Sequence, residues 1–158
     1  MKKLSELIFS ALFVIGLAYC KQDDKTVTDL KSHLPGEWEV ESLRVQVNTA
    51  DNTDSSYVFE AQRDSWIAKF QVKPFRTFYT DDNKYRIEYR TQYDSLISTS
   101  RGIWNVFGDT LMRIEPTATY QYTVKLQPGR LEYKSMVDWD GDGQEDDEYI
   151  EVQRFLKR

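Results

Sequence analysis

From Gly36 onward, apolar and polar residues alternate in short runs separated by turn residues, the two-residue period of half-buried β-strands. Trp38 and Val40 alternate with Glu37, Glu39 and Glu41; Leu43, Val45 and Val47 then carry the apolar set on the opposite parity, which predicts a bulge near Ser42. Residues 48–64 are polar and read as a long loop, with a short strand or turn around Tyr57 to Phe59. Trp66, Ala68, Phe70 and Val72 alternate with Ile67, Lys69 and Gln71 and predict a further strand, broken at Pro74 and resumed over Phe75 to Thr80. Asp81-Asp82-Asn83 is a turn. Tyr85, Ile87, Tyr89, Thr91 and Tyr93 then alternate with Arg86, Glu88, Arg90 and Gln92.

Two hairpins follow. Ile103 to Phe107 turns at Gly108-Asp109 into Leu111 to Glu115, and Tyr120 to Leu126 turns at Gln127-Pro128-Gly129 into Leu131 to Val137. The last strand is expected over Tyr149 to Leu156, after an acidic loop. Before Pro35-Gly36, Thr28 to Leu34 has room for one helical turn. The expectation is an all-β domain: an antiparallel up-and-down β-barrel of eight to ten strands, or failing that a sandwich. No helical segment is long enough for a βαβ crossover, and closure removes the exposed edges of so many apolar strands. Ten Tyr, eight Phe and four Trp reinforce the strand reading.

The first twenty residues are of another kind. Lys2 and Lys3 precede an apolar run from Leu7 to Ala18, and Cys20, the single cysteine, stands directly behind it. This is the layout of a secretory signal, and the run is too short to span a bilayer as a helix. With Leu17 and Ala18 before the cysteine, it resembles the lipoprotein signal peptide of bacteria. That resemblance implies removal of residues 1–19, acylation of Cys20 and anchoring to a membrane by lipid. Gly16 and Ala18 also fit a small-x-small site, so cleavage after Ala18 and plain secretion is the alternative. Residues 20–34 then form a polar tether and the helical turn, and 35–158 the barrel domain. Lys21, followed by Asp23 and Asp24, resembles the segment after the cysteine in outer-membrane and surface-exported lipoproteins, which implies a cell-envelope location.

The net charge of −5 is unevenly spread. Residues 138–151 hold eight acids and no base, which leaves 18 acids against 21 bases elsewhere. No basic block remains to meet a phosphate backbone, so nucleic acid is not an expected partner.

The stretch from Leu34 to Leu43, with Gly36 and Trp38 at its centre, resembles the opening of a lipocalin-like domain. In that family a helical turn leads to Gly-x-Trp on the first strand, the Trp plugs one barrel end, and an Arg stacks on it; Arg154 is the candidate here. Gly102 to Leu111 adds a Gly-x-Trp hairpin similar to that of small lipocalin-like lipoproteins of Bacteroidetes and related Gram-negative bacteria. The resemblance implies a barrel that holds a small apolar molecule. A barrel filled by its own aromatic side chains, presenting its loops to another protein or a glycan, is the alternative.

Asp138, Asp140, Asp142 and Asp146 recur at positions 1, 3, 5 and 9 of a loop, with Gly143 at position 6 and Gln144 at position 7. Carboxylates at this spacing converge on a cation when the chain wraps around it, and hard oxygen donors in this number suit Ca²⁺. The loop resembles EF-hand calcium loops, and more closely the DxDGDGxxD loops between strands of integrin-type propeller repeats. That correspondence implies ligation by the side chains of Asp138, Asp140, Asp142 and Asp146 and the carbonyl of Gln144. A solvated acidic turn is the alternative. His33 is the only histidine, expected at the surface, and no nucleophile–base set can be assembled, so no enzymatic activity is expected and no catalytic residue is assigned.

Overall fold

The computed structural model describes residues 29–158. The signal segment, Cys20 and most of the tether lie outside the described residues. The strands are β1 (Gly36–Val47), β2 (Tyr57–Gln62), β3 (Arg76–Tyr79), β4 (Lys84–Arg90), β5 (Leu96–Phe107), β6 (Thr110–Ile114), β7 (Thr119–Gln127), β8 (Arg130–Val137) and β9 (Asp147–Lys157). Two short helices, α1 (Leu30–His33) and α2 (Trp66–Phe70), accompany them. From β3 to β9 each strand pairs antiparallel with the next, and β1 pairs with both β3 and β9. The sheet therefore closes into an eight-stranded up-and-down barrel, with β2 as an extra strand.

β1 is long enough to serve three partners. One edge runs along β9 from Glu37 to Gln46. The other edge pairs with β3 over Gly36 to Glu39 and with β2 over Ser42 to Val47. The β1–β9 register shifts between Val40 and Ser42, the bulge that the change of parity predicts. It lets Trp38 and Val40 be buried before the bulge and Leu43, Val45 and Val47 after it.

Residues 66–70 differ from expectation. The predicted strand is instead helix α2, and the upper edge of β1 is taken by β2. Trp66 and Phe70 satisfy a period of two and also the i, i+4 spacing of a helix face. In the helix their rings lie 4.6 Å apart and pack with Phe59 and Phe75, while Ile67 is exposed.

The lower barrel end is closed by α1 and Trp38. Trp38 is 2% exposed, and its indole N–H donates to the Leu34 carbonyl at 2.8 Å. Leu30 and Leu34 join it in a core with Trp104, Leu111 and Leu131. The expected stacking of Arg154 on Trp38 is not what forms. Arg154 is paired across the sheet with Glu39, and Phe155 packs against Trp38, with ring centroids 5.0 Å apart. Adjacent residues of a strand point to opposite faces, so only Phe155 shares the face of Trp38.

Candidate functional site

Two features sit at the upper end of the barrel, opposite the Trp38 plug. One is a half-open cavity of about 250 Å³ lined from β4, β5, β6, β7 and β9. The other is the acidic loop between β8 and β9.

The cavity wall contains the rings of Tyr85, Tyr89, Tyr120, Tyr122 and Tyr149, and among them Arg113, Glu115 and Glu151. Arg113, on β6, is 4% exposed, and Glu151, on β9, is 3% exposed. Both acids are satisfied by neutral donors. Glu115 accepts from Tyr85 at 2.8 Å and from the Ser100 hydroxyl; Glu151 accepts from the Tyr149 hydroxyl and the Gln153 amide. Gln153 also donates to Thr77 at 3.1 Å, deeper in the barrel. The Arg113 guanidinium lies 4.7 Å from the Tyr122 ring centroid and 4.9 Å from that of Tyr133, a cation–π setting that offsets part of its desolvation. Its Nε and Nη2 have no hydrogen-bond partner among the described residues.

This interior shifts the ionisation of its groups. Burial opposes the charge on Arg113, but Tyr79, Tyr122, Tyr133 and Glu151 outweigh it and hold the guanidinium pKa well above its ordinary value. Burial raises the tyrosines. Tyr122 is pushed up to about 12, with Glu151 adding to burial and Arg113 opposing it. Tyr149 is raised well above its ordinary value by burial and then by Glu151.

The acidic loop folds back onto the chain leaving β1. Carboxylate oxygens of Asp138, Asp140 and Asp142 all lie within 4.8 Å of one another. Five backbone N–H groups point at these three side chains: Asp51 and Asp142 donate to Asp140, Asn52 and Gln144 to Asp142, and Gly143 to Asp138. Thr49, Asp51 and Asn52 all have positive φ, an uncommon backbone for such residues, and the bonds from the Asp51 and Asn52 N–H groups tie the latter two to the loop. Asp146 is turned to the Thr49 hydroxyl, 2.7 Å away, so the structure gathers three of the four expected aspartates and sets the fourth beside them. The Gln144 side chain donates to Asn52 at 2.7 Å.

The sequence does not single out Asp147. It is 1% exposed and accepts backbone N–H bonds at 2.8 Å from both Asn48 and Trp139, tying the two ends of the loop to β1. Trp139 of the loop lies 6.4 Å from Tyr149, and Tyr149 lies 6.3 Å from Tyr122. The loop is thereby joined to the cavity wall through a row of aromatic rings. His33 is exposed on α1 at the opposite end, far from either feature in the fold. A larger groove of about 650 Å³ lies at that end, between α1 and the β7–β8 turn, with Trp38 and Phe155 in its wall. The chain matches no protein-family model and no curated protein.

Proposed function

We propose that the protein is a cell-envelope lipoprotein, anchored by lipid on Cys20, whose lipocalin-like barrel binds a small molecule at its upper end. The observation that carries this reading is the tyrosine-lined cavity inside a closed barrel, of a size for a compact ligand. The tyrosine faces offer apolar contact, and Arg113, Glu115 and Glu151 offer polar contact. The ligand we propose therefore has an apolar body and at least one polar group, in place of the wholly apolar molecule that the resemblance implies. The acidic loop binds one Ca²⁺ through Asp138, Asp140 and Asp142, with Asp146 and the Gln144 carbonyl completing the shell, in a structural role at the cavity rim.

The alternative is an interaction module. Tyr93, Leu96 and Ile97 favour it: all are exposed at the β4–β5 turn, where they offer an apolar surface to a protein partner.

Native mass spectrometry of the protein purified from its own envelope separates the two. A bound small molecule, lost when Ser100→Phe fills the cavity, is the expected result. An empty barrel together with a co-purifying protein would give the interaction module precedence. Labelled fatty acid should enter the wild type and not Cys20→Ser; label-free protein with Tyr19 at its mature terminus would mean plain secretion.

A further inference from the structure

We propose that the α1 end of the barrel is a membrane-docking face, which rests on the bilayer that holds the Cys20 lipid with Phe107, Phe155 and the groove beside α1 at the lipid surface. This rests on the reading of Cys20 as a lipid anchor and adds the face that the barrel turns to the membrane.

Three observations meet at this end. The first is chain length. Asp29 stands nine residues after Cys20, and nine residues span at most about 30 Å fully extended. α1 begins at Leu30 and supplies Ser32 and His33 to the groove wall. A lipid on Cys20 therefore tethers the barrel beside this groove and keeps it close to the bilayer.

The second is apolar surface. Pro35, Trp38, Leu126, Pro128 and Phe155 stand in the wall of the groove of about 650 Å³. Phe155 packs on Trp38 and is still 39% exposed. Phe107 is 60% exposed at the β5–β6 turn, and strand pairing puts that turn at the same end. Gly36 lies opposite Tyr79, Tyr79 opposite Tyr85, and Tyr85 opposite Gly102, from which β5 runs on to Phe107. Clustered exposed apolar residues mark a contact surface. Beside a lipid anchor, the headgroup region is where aromatic rings are favoured, and buried apolar area adds to the hold of the lipid.

The third is charge. The groove wall holds His33 and Arg158 and no acid. Around it, Asp29, Asp81, Asp82 and Asp109 are matched by Lys31, Lys84, Lys157 and Arg158. At the opposite end, residues 138–151 hold eight acids and no base. A leaflet containing anionic lipid repels that end and not this one. Docking through the α1 end turns the tyrosine-lined cavity and the acidic loop away from the bilayer. The exposed Tyr93, Leu96 and Ile97 at the β4–β5 turn lie at the far end of their strands and form the competing face.

The test uses the lipid-bearing protein inserted into preformed vesicles of phosphatidylcholine and phosphatidylglycerol. Lipid occupies the Cys20 thiol, so an introduced cysteine is the single site for an environment-sensitive dye. Gln127→Cys reports the groove, Gln92→Cys the β4–β5 turn and Glu145→Cys the acidic loop. Dye at Gln127→Cys should shift to the blue and be quenched by spin-labelled lipid roughly threefold or more above the other two sites, as a headgroup-level position requires. Phe107→Glu combined with Arg158→Glu should bring Gln127→Cys down to the level of the other two while the protein still floats with the vesicles. Phe107→Trp should keep the full signal. If the double variant fails to fold, the three labelled sites without it decide.

Equal signals at all three sites, or the strongest at Gln92→Cys or Glu145→Cys, would overturn the docking face and leave the lipid anchor standing. A shift at Gln127→Cys that appears without vesicles and grows with protein concentration would assign the groove to a second copy of the chain instead. Protein that does not float with the vesicles at all would remove the lipid anchor, and the docking face with it.

Discussion

Glu39 and Arg154 face each other across the seam where β1 meets β9, with a carboxylate oxygen 2.7 Å from Nη2. The same carboxylate takes Arg63 at 3.0 Å and Arg76 at 3.2 Å, so one nearly buried acid ties β9, the β2–α2 connection and β3 to β1. Burial works to raise the Glu39 pKa, but the bonds from Arg154 and Arg63 outweigh it, and the net shift is downward from 4.5. A carboxyl whose folded pKa is depressed adds stability above its unfolded pKa and loses it as pH falls through the folded value. The denaturant midpoint should therefore drop as pH falls below about 4.5. Glu88, lowered through Arg90 and Arg86 against its burial, acts in the same direction. Glu39→Gln should cost about 1.5–3 kcal/mol at neutral pH, the range for hydrogen bonds to charged groups, and flatten the acid limb. Equal pH profiles for variant and wild type would remove Glu39 from this role.

Gly102 and Gly108 lie in and just after the same strand but under different constraints. A Cβ on Gly102 would sit 2.1 Å from the Ile114 carbonyl oxygen and 2.9 Å from the Tyr85 ring. The neighbour is backbone of β6, which cannot yield without disturbing the β5–β6 ladder. Gly108, in the hairpin turn, has φ +63 and open space around it. Gly102→Ala should cost about 1–3 kcal/mol or more through overpacking. Gly108→Ala should cost only the left-handed penalty, roughly 1–2 kcal/mol. Paired urea titrations check the order; a larger loss at Gly108 would contradict it.

The tyrosine interior predicts behaviour in alkali. Burial pushes the Tyr122 pKa up from 10.0 to about 12, with Arg113 opposing and Glu151 adding to the shift. Tyr79, Tyr133 and Tyr149 are raised as well, each by burial first. A group with a raised folded pKa contributes stability that is present below its unfolded pKa and is lost as pH rises towards the folded one. Stability should thus decline from pH 10 towards 12, and phenolate absorbance at these residues should appear together with loss of near-ultraviolet circular dichroism. Full ionisation of all ten tyrosines in a still-folded protein would contradict the buried arrangement.

The strand order and the bulge after Val40 were legible in the sequence because they rest on apolar alternation. The cavity chemistry was hidden by the same rule. On β9, alternation assigns Ile150 and Val152 to the core, yet Glu151 and Gln153 are the buried pair and face the interior. On β6, Arg113 takes the inward parity of Leu111, where a period-two reading expects an apolar residue. Polar residues turned inward look like polar residues turned outward until pairing fixes the parity. Asp147 was lost in a different way. Eight acids in one segment read as a cluster, and nothing local marks the one whose carboxylate is buried on two backbone N–H groups. The first half of β5, Leu96 to Gly102, escaped because its apolar residues Leu96 and Ile97 are adjacent and exposed.

The acidic loop supports a prediction about metal. Three carboxylates within 4.8 Å repel one another, and the five N–H bonds that hold them leave a concentrated negative charge at the cavity rim. A dication bound there stabilises the folded state alone, because the unfolded chain does not gather the ligands. Affinity should be modest, a Kd of roughly 10⁻⁴–10⁻³ M, as for calcium sites in extracellular modules. At a hundredfold excess of free calcium over that Kd, the gain is about 2.7 kcal/mol. The melting temperature should rise with calcium and fall with chelator. Asp140→Asn combined with Asp142→Asn should abolish this dependence. It should also leave the uncomplexed protein folded, since an Asn side-chain oxygen can still accept the N–H bonds from Asp51 and Asn52. An equal rise with magnesium, or with monovalent salt at matched ionic strength, would mean that the loop is only being screened and holds no calcium.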